Sequence, residues 1–149
     1  MLRQFLPMAL CPMVFGCALS EPNYTGSYVG GDQSALIQLQ IVEGDGGNLN
    51  GSFAVSTIDY KARKLKQSVM PITGIRKGEQ FSLLAHHIEW GASDAPLSLE
   101  GKNHSLFWKI AETGQTVELS PMNQDQYRAK LNEFASALNA NDYGFVREK

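Results

Sequence analysis

Residues 34–42 read SALIQLQIV, and residues 44–48 that follow read GDGGN. In the first stretch Ile37, Leu39 and Ile41 alternate with Gln38 and Gln40. Successive side chains of an extended chain point to opposite faces, so this spelling describes a strand with one face on a core and one toward water. Gly44-Asp45-Gly46-Gly47-Asn48 is a turn cluster. Beyond it, residues 49–58 resume the alternation, with Leu49, Phe53 and Val55 on one face. Two strands joined by so short a turn pair antiparallel, because a parallel pair needs a crossover of a dozen residues or more.

The same pattern extends in both directions. Residues 25–30 form a first strand ended by Gly30-Gly31-Asp32. Residues 68–75 and 80–88 bracket Arg76-Lys77-Gly78-Glu79, which reads as a hairpin turn, and Pro71 implies an edge or a bulge in the first of these strands. A loop covers 91–96. Strands at 96–101, 105–111 and 115–120 complete the series, with turns at Gly101-Lys102-Asn103-His104 and Glu112-Thr113-Gly114. Leu97, Leu99, Leu106, Trp108, Ile110, Val117 and Leu119 fall on the expected core face. About eight short strands predict an all-β domain: an antiparallel up-and-down meander, either barrel or sandwich. No helical interval separates the strands, which excludes a parallel α/β sheet.

The last segment changes period. Tyr127, Leu131, Phe134 and Leu138 line one helical face, and Asn123 with Gln126 spells a capping box, so a helix is expected over about 124–139. Its apolar stripe is expected to dock on an open end or seam of the barrel, where it would blunt an edge; the other reading is a partner-binding helix. Gly26-Ser27-Tyr28, followed by an eight-strand meander, resembles the ground plan of avidin-like and lipocalin-like barrels, which carry Trp where Tyr28 stands. That resemblance implies architecture alone. None of those families' ligand-contacting motifs is present, and no ligand residue is carried over.

The N-terminus has its own signature. Arg3 is followed by an uncharged, mostly apolar run to Gly16, shorter than the roughly 20 residues a helix needs to cross a bilayer. A charged start, a short apolar core and a small residue at its end are the marks of an export signal. Val14-Phe15-Gly16-Cys17 resembles the lipobox of bacterial lipoproteins, with Phe15 where a small residue is commoner. The resemblance implies cleavage after residue 16 and acylation of Cys17 with palmitate-type chains. Two chains anchor stably, because each buried CH₂ contributes about 0.8 kcal/mol. Ala18, in place of the aspartate that favours inner-membrane retention, implies an outer-membrane lipoprotein facing the periplasm. The expected organisation is a signal peptide at 1–16, a tether at 17–23 and one domain over 24–149.

Composition narrows the function classes. The chain has 149 residues, 43% hydrophobic and 19% charged, which suits one folded domain rather than a disordered chain. Its formal charge is −2; without Arg3, twelve basic side chains face fifteen acidic ones, unlike a basic nucleic-acid binder. Both cysteines, Cys11 and Cys17, lie in the first seventeen residues, so the folded part has no disulfide, thiolate metal site or cysteine nucleophile.

Candidate sites are few. Lys61, Arg63, Lys64, Lys66, Arg76 and Lys77 form a basic patch with no acid between Asp59 and Glu79, open to an anionic lipid or an acidic protein, or simply a solvated surface. Phe53, Met70, Phe81 and Trp108 are candidates to line a pocket, since an eight-strand barrel can hold one small ligand. His87 and Glu89 share a strand face and His104 is a third candidate from a neighbouring strand, a weak signal beside the three or four fitted ligands of a zinc site. No nucleophile elbow, phosphate loop or paired carboxylate is present. The sequence reads as a non-enzymatic envelope lipoprotein without a cofactor. It is a protein-binding or accessory module, or alternatively a carrier of a small hydrophobic ligand.

Overall fold

The computed structural model describes residues 21–86 and 93–140, with side chains to residue 138. Eight antiparallel strands close into a barrel in chain order: β1 (Gly26–Gly31), β2 (Ala35–Glu43), β3 (Asn48–Asp59), β4 (Lys64–Lys77), β5 (Gln80–Ala85), β6 (Ala95–Lys102), β7 (Ser105–Lys109) and β8 (Thr116–Pro121). Helix α1 (Gln124–Ala140) follows. The all-β meander with one C-terminal helix is therefore the observed fold, and of the two closures the barrel is the one realised. None of the described helices is long and apolar enough to cross a membrane.

The alternation in 34–42 works as its spelling requires. Leu39 and Ile41 are fully buried inside the barrel, and the register sets Leu39 beside Tyr28 on β1 and Phe53 on β3. Leu49, Ile72, Phe81, Leu106 and Leu119 complete a packed interior. Ile37, Leu97 and Leu99 are buried as expected; Val55, Trp108 and Val117 are partly buried against the same cluster, and Ile110 is half-exposed at the end of β7.

Several boundaries differ from the sequence reading: β5 ends at Ala85 and β7 at Lys109, short of the expected 88 and 111, and β4 and its turn differ most. Strand β4 begins at Lys64 rather than near 68, and it runs to Lys77. The segment 64–67 is polar and charged, so hydrophobic period gives no strand signal there. It is extended because β3 offers a full-length partner, from Asn48↔Ile75 to Asp59↔Lys64. The reverse turn is shorter than expected: Lys77 pairs with Gln80, and Gly78 takes the left-handed φ of 62° that the turn demands. Pro71 sits where β4 parts from β5, whose pairing starts at Ile72↔Ala85, and the His86 N–H donates to the Pro71 carbonyl at 2.8 Å.

Helix α1 starts at the expected capping box. The Gln126 N–H donates to Asn123 Oδ1 at 2.8 Å, and the Asn123 N–H to Gln126 Oε1 at 2.9 Å. The helix does not cap an open end of the barrel; it lies along the outer wall beside the seam, where β8 leads into it and β1 meets β8. Tyr127, Leu131 and Phe134 pack on Val29 and Leu36, outward-facing residues of β1 and β2. Tyr127 Oη accepts from Gln67 Nε2 of β4 at 3.0 Å, and the same amide reaches Ser56 Oγ of β3. The helix thereby covers the outer side of β1 to β3, where Gln38, Ala54 and Ser56 are buried, and touches β4 at Gln67, while Val69 and Ile75 on the outer face of β4 stay exposed.

The strand directions define two ends. The turns at 44–47, 78–79 and 103–104, together with the start of β1, form one; we call it the tether end because the chain enters there. The turns at 32–34, 60–63 and 110–115, and the point where the chain leaves β5, form the other, the distal end.

Candidate functional site

The tether end is plugged. Tyr24, two residues before β1, turns its ring into the barrel and is buried, meeting Phe81 edge-on at a centroid distance of 4.9 Å. Gly101 makes room for it, since a Cβ there would strike the Tyr24 ring. Arg76 lies over the same ring, 5.6 Å from its centroid, a cation–π arrangement. Its Nε donates to Glu43 Oε1 at 2.6 Å, and Nη2 reaches Glu21 Oε2 at 3.4 Å. The Tyr24 N–H also donates to Glu43, at 3.2 Å, and Tyr28 Oη donates to the Tyr24 carbonyl at 2.9 Å. Burial pulls the Arg76 guanidinium pKa down, but the hydrogen bond to Glu43 and the charges of Glu43 and Glu21 outweigh it and leave it raised. Arg76 is charged and structural.

This placement divides the expected basic patch. Lys61 and Arg63 occupy the β3–β4 turn, and Lys64 and Lys66 open β4, all exposed at the distal end. Arg76 and Lys77 close β4 at the tether end. A strand rises about 3.3 Å per residue, so roughly 30 Å of chain separates Lys66 from Arg76. There are two basic positions: at the distal one all four side chains are exposed, and at the other Arg76 is paired and Lys77 alone is exposed.

The expected pocket residues line none of the three depressions found among the described residues. Phe53 and Phe81 are buried, Met70 is partly buried on the register row of Phe53, and Trp108 meets Phe53 edge-on at 5.4 Å. They are core packing. Three depressions open to solvent lie elsewhere. One, of about 660 Å³, sits at the distal rim between the β1–β2 and β7–β8 turns, lined by Asp32, Ser34, Ile37, Ile110 and Val117 among others. A second, of about 590 Å³, runs between α1 and the β3–β4 tip, lined by Leu36, Tyr60, Lys130, Phe134 and Ala137 among others. The third, of about 520 Å³, is the polar rim around Arg76 and the 44–47 turn. In the β1–β2 turn the Ser34 hydroxyl, its N–H and the Ala35 N–H all donate to Asp32, which holds that carboxyl below its usual range.

Cys17, His87 and Glu89 lie outside the described residues. His104 stands in the β6–β7 turn at the tether end, whereas the chain leaves β5 at the distal end, so the strand length of β6 separates His104 from the His86 side of the His-His-Ile-Glu run. No group of three metal-binding side chains occurs among the described residues.

One polar cluster was not anticipated. His86 Nε2 lies 2.8 Å from Thr73 Oγ1, and Nδ1 lies 2.9 Å from Asp94 Oδ2. An ionised carboxylate only accepts, so Nδ1 carries the proton and, in the neutral ring, Nε2 accepts from the hydroxyl. The order hydroxyl–imidazole–carboxylate matches that of a nucleophile, its base and the orienter of the base. Acyl transfer also needs a desolvated pocket with donors for the oxyanion. These groups stand on the outer wall, His86 and Asp94 being 35% and 42% exposed, and they line none of the three depressions. They clasp the two ends of the segment between β5 and β6. His86 and Asp94, at either side of a segment that ends in Gly91-Ala92-Ser93, were the visible signal; the partner Thr73 required the β4–β5 register.

No protein-family model, no curated protein and no solved structure matches this chain.

Proposed function

We propose that this chain is a bacterial envelope lipoprotein, held by acyl chains on Cys17 in the outer membrane and facing the periplasm, whose barrel is a rigid scaffold for binding another protein. The address rests on Arg3, the apolar run to Gly16 and the Val14-Phe15-Gly16-Cys17 sequence, with Ala18 supporting the outer membrane. The scaffold reading rests on one observation: aliphatic and aromatic side chains from all eight strands fill the barrel, and Tyr24 stoppers its tether end. A carrier needs an apolar cavity of about 300 Å³ or more that engulfs its cargo. Here the apolar residues that would line one pack on each other, and this favours surface recognition over cargo.

Metabolic labelling with radioactive palmitate tests the anchor. Wild type should take up label and the Cys17→Ser chain should not; a wild-type protein without label overturns it. Native mass spectrometry of the gently purified protein tests the scaffold. The barrel should fly at its own mass plus its acyl chains, and a retained apolar small molecule would favour the carrier instead.

A further inference from the structure

We propose that the β3–β4 tip and the groove beside it form a docking site for an acidic segment of a partner protein that carries an aromatic or aliphatic anchor. The orientation invoked below rests on the lipoprotein reading; the docking chemistry does not.

Three observations converge on this tip. The first is projection. Pairing of β2 with β3 stops at Ala35↔Thr57, and pairing of β5 with β4 stops at Ile72↔Ala85. The pairs Ile58↔Leu65 and Asp59↔Lys64 continue past Ala35 as a two-stranded finger. The second is charge. Within six residues the finger exposes Lys61, Arg63, Lys64 and Lys66, while the protein as a whole is acidic. One acid, Asp59, stands at the base of the turn opposite Lys64, and the four cations outnumber it. The third is an apolar anchor point. Tyr60 is 59% exposed at the tip and lines, with Leu36, Phe134 and Ala137, the apolar part of a groove that Asp32, Glu133 and Lys130 also line, so the groove takes the partner's apolar anchor and the finger its acids. Tyrosine on such a rim presents a large rigid contact area, and residues of this type dominate binding energy.

Geometry selects a protein rather than the anchoring membrane as the source of negative charge. The tether joins the domain at Tyr24, by the end of β4 that carries Lys77; the finger stands at the Lys64 end. Fourteen residues span about 43 Å of strand, or roughly 30 Å along the axis of a barrel tilted near 40°. Surface charge is screened within about 8 Å at physiological ionic strength. Headgroups at the tether end are therefore out of electrostatic reach of the finger, whereas a protein beyond the distal end is not.

The test uses the full-length lipidated chain in detergent micelles. The probes are a fluorescein-labelled peptide of six glutamates flanking a central Phe-Leu pair, and the same peptide with glutamines. The acidic peptide should bind at least tenfold more tightly than its control. Changing Lys61, Arg63, Lys64 and Lys66 together to Gln should weaken it at least tenfold, and Tyr60→Ser about threefold, with unchanged thermal melts. Equal binding of the two peptides, or an unaffected quadruple variant, overturns the proposal. So does binding of phosphatidylglycerol vesicles through the same four residues without peptide binding, or dimerisation through them in sedimentation. Cys17→Ser should bind the acidic peptide as wild type does, so a failed palmitate experiment and a failed docking experiment are separate results. In vesicle-anchored protein, a fluorophore on Ala62→Cys should escape a headgroup quencher that reaches one on Asn23→Cys; equal quenching overturns the orientation.

Discussion

At the scale of single residues, Arg76 shows what a sequence does and does not disclose. Counted from Ile72 along β4 it is an even number of positions on, so parity alone assigns it to the inner face. Its partner is the hidden part. Glu43 comes from the far end of β2 and Tyr24 from before β1, and only register brings them together. A run of basic residues in print thus became two unrelated features in space. Tyr28 belongs to the same plug and makes it pH-sensitive. Burial raises its phenol above the usual 10.0, with the nearby Tyr24 and Glu43 adding to the effect. The folded state therefore keeps a proton over a range in which the unfolded chain has released it. The contribution is complete below about pH 10 and is lost as pH rises from there through the folded value. Urea unfolding of wild type and Tyr28→Phe checks this. The variant should lose about 1 kcal/mol at pH 8 with the bond to the Tyr24 carbonyl. It should then lose less than wild type between pH 10 and 11; parallel curves across that interval would remove the assignment.

At the scale of elements, period two and period 3.6 located the strands and the helix, because each amphipathic element must bury one face whatever the topology. They failed where burial is supplied by something else. Lys64–Gln67 is extended by pairing with β3, not by an apolar face, and its polar spelling looked like a loop. Val29 and Leu36 face outward, against the inner-face pattern of their strands, and are buried only because α1 covers them. That is why the helix's stripe was legible and its berth was not. The berth carries a quantitative expectation. Removing the cap with Asn123→Ala should cost about 1 kcal/mol. Tyr127→Ala should cost about 3 kcal/mol, since it empties an aromatic site and strips Gln67 of an acceptor. Denaturant midpoints at constant slope measure both. A Tyr127→Ala loss no larger than that of the cap would mean the helix rests on the wall without gripping it.

At the scale of the whole molecule, the closure itself is what no local pattern can announce. Eight alternating strands suit a sandwich as well as a barrel; the choice is made where the first strand meets the last. That seam is thin. β1 and β8 share only Tyr28↔Pro121 and Val29↔Ser120, and Pro121 has no N–H to give, whereas β3 and β4 pair along the full length of β3. Helix α1 compensates, since it leaves β8 directly: the Met122 N–H donates to the Ser27 carbonyl at 2.9 Å, and the helix then lies over Val29. Local opening follows the weakest cooperative contacts, so the barrel should open at this seam before it unfolds. Native-state hydrogen exchange should find the amides of Glu118 to Ser120 at least tenfold less protected than those of Phe53 and Ala54. In Tyr127→Ala the gap should widen, because the loosened helix no longer presses on β1, while the β3 amides should fall only with global stability. Equal protection of the two sets would mean that the ring opens only by unfolding altogether, and that the clamp contributes nothing beyond its own buried area.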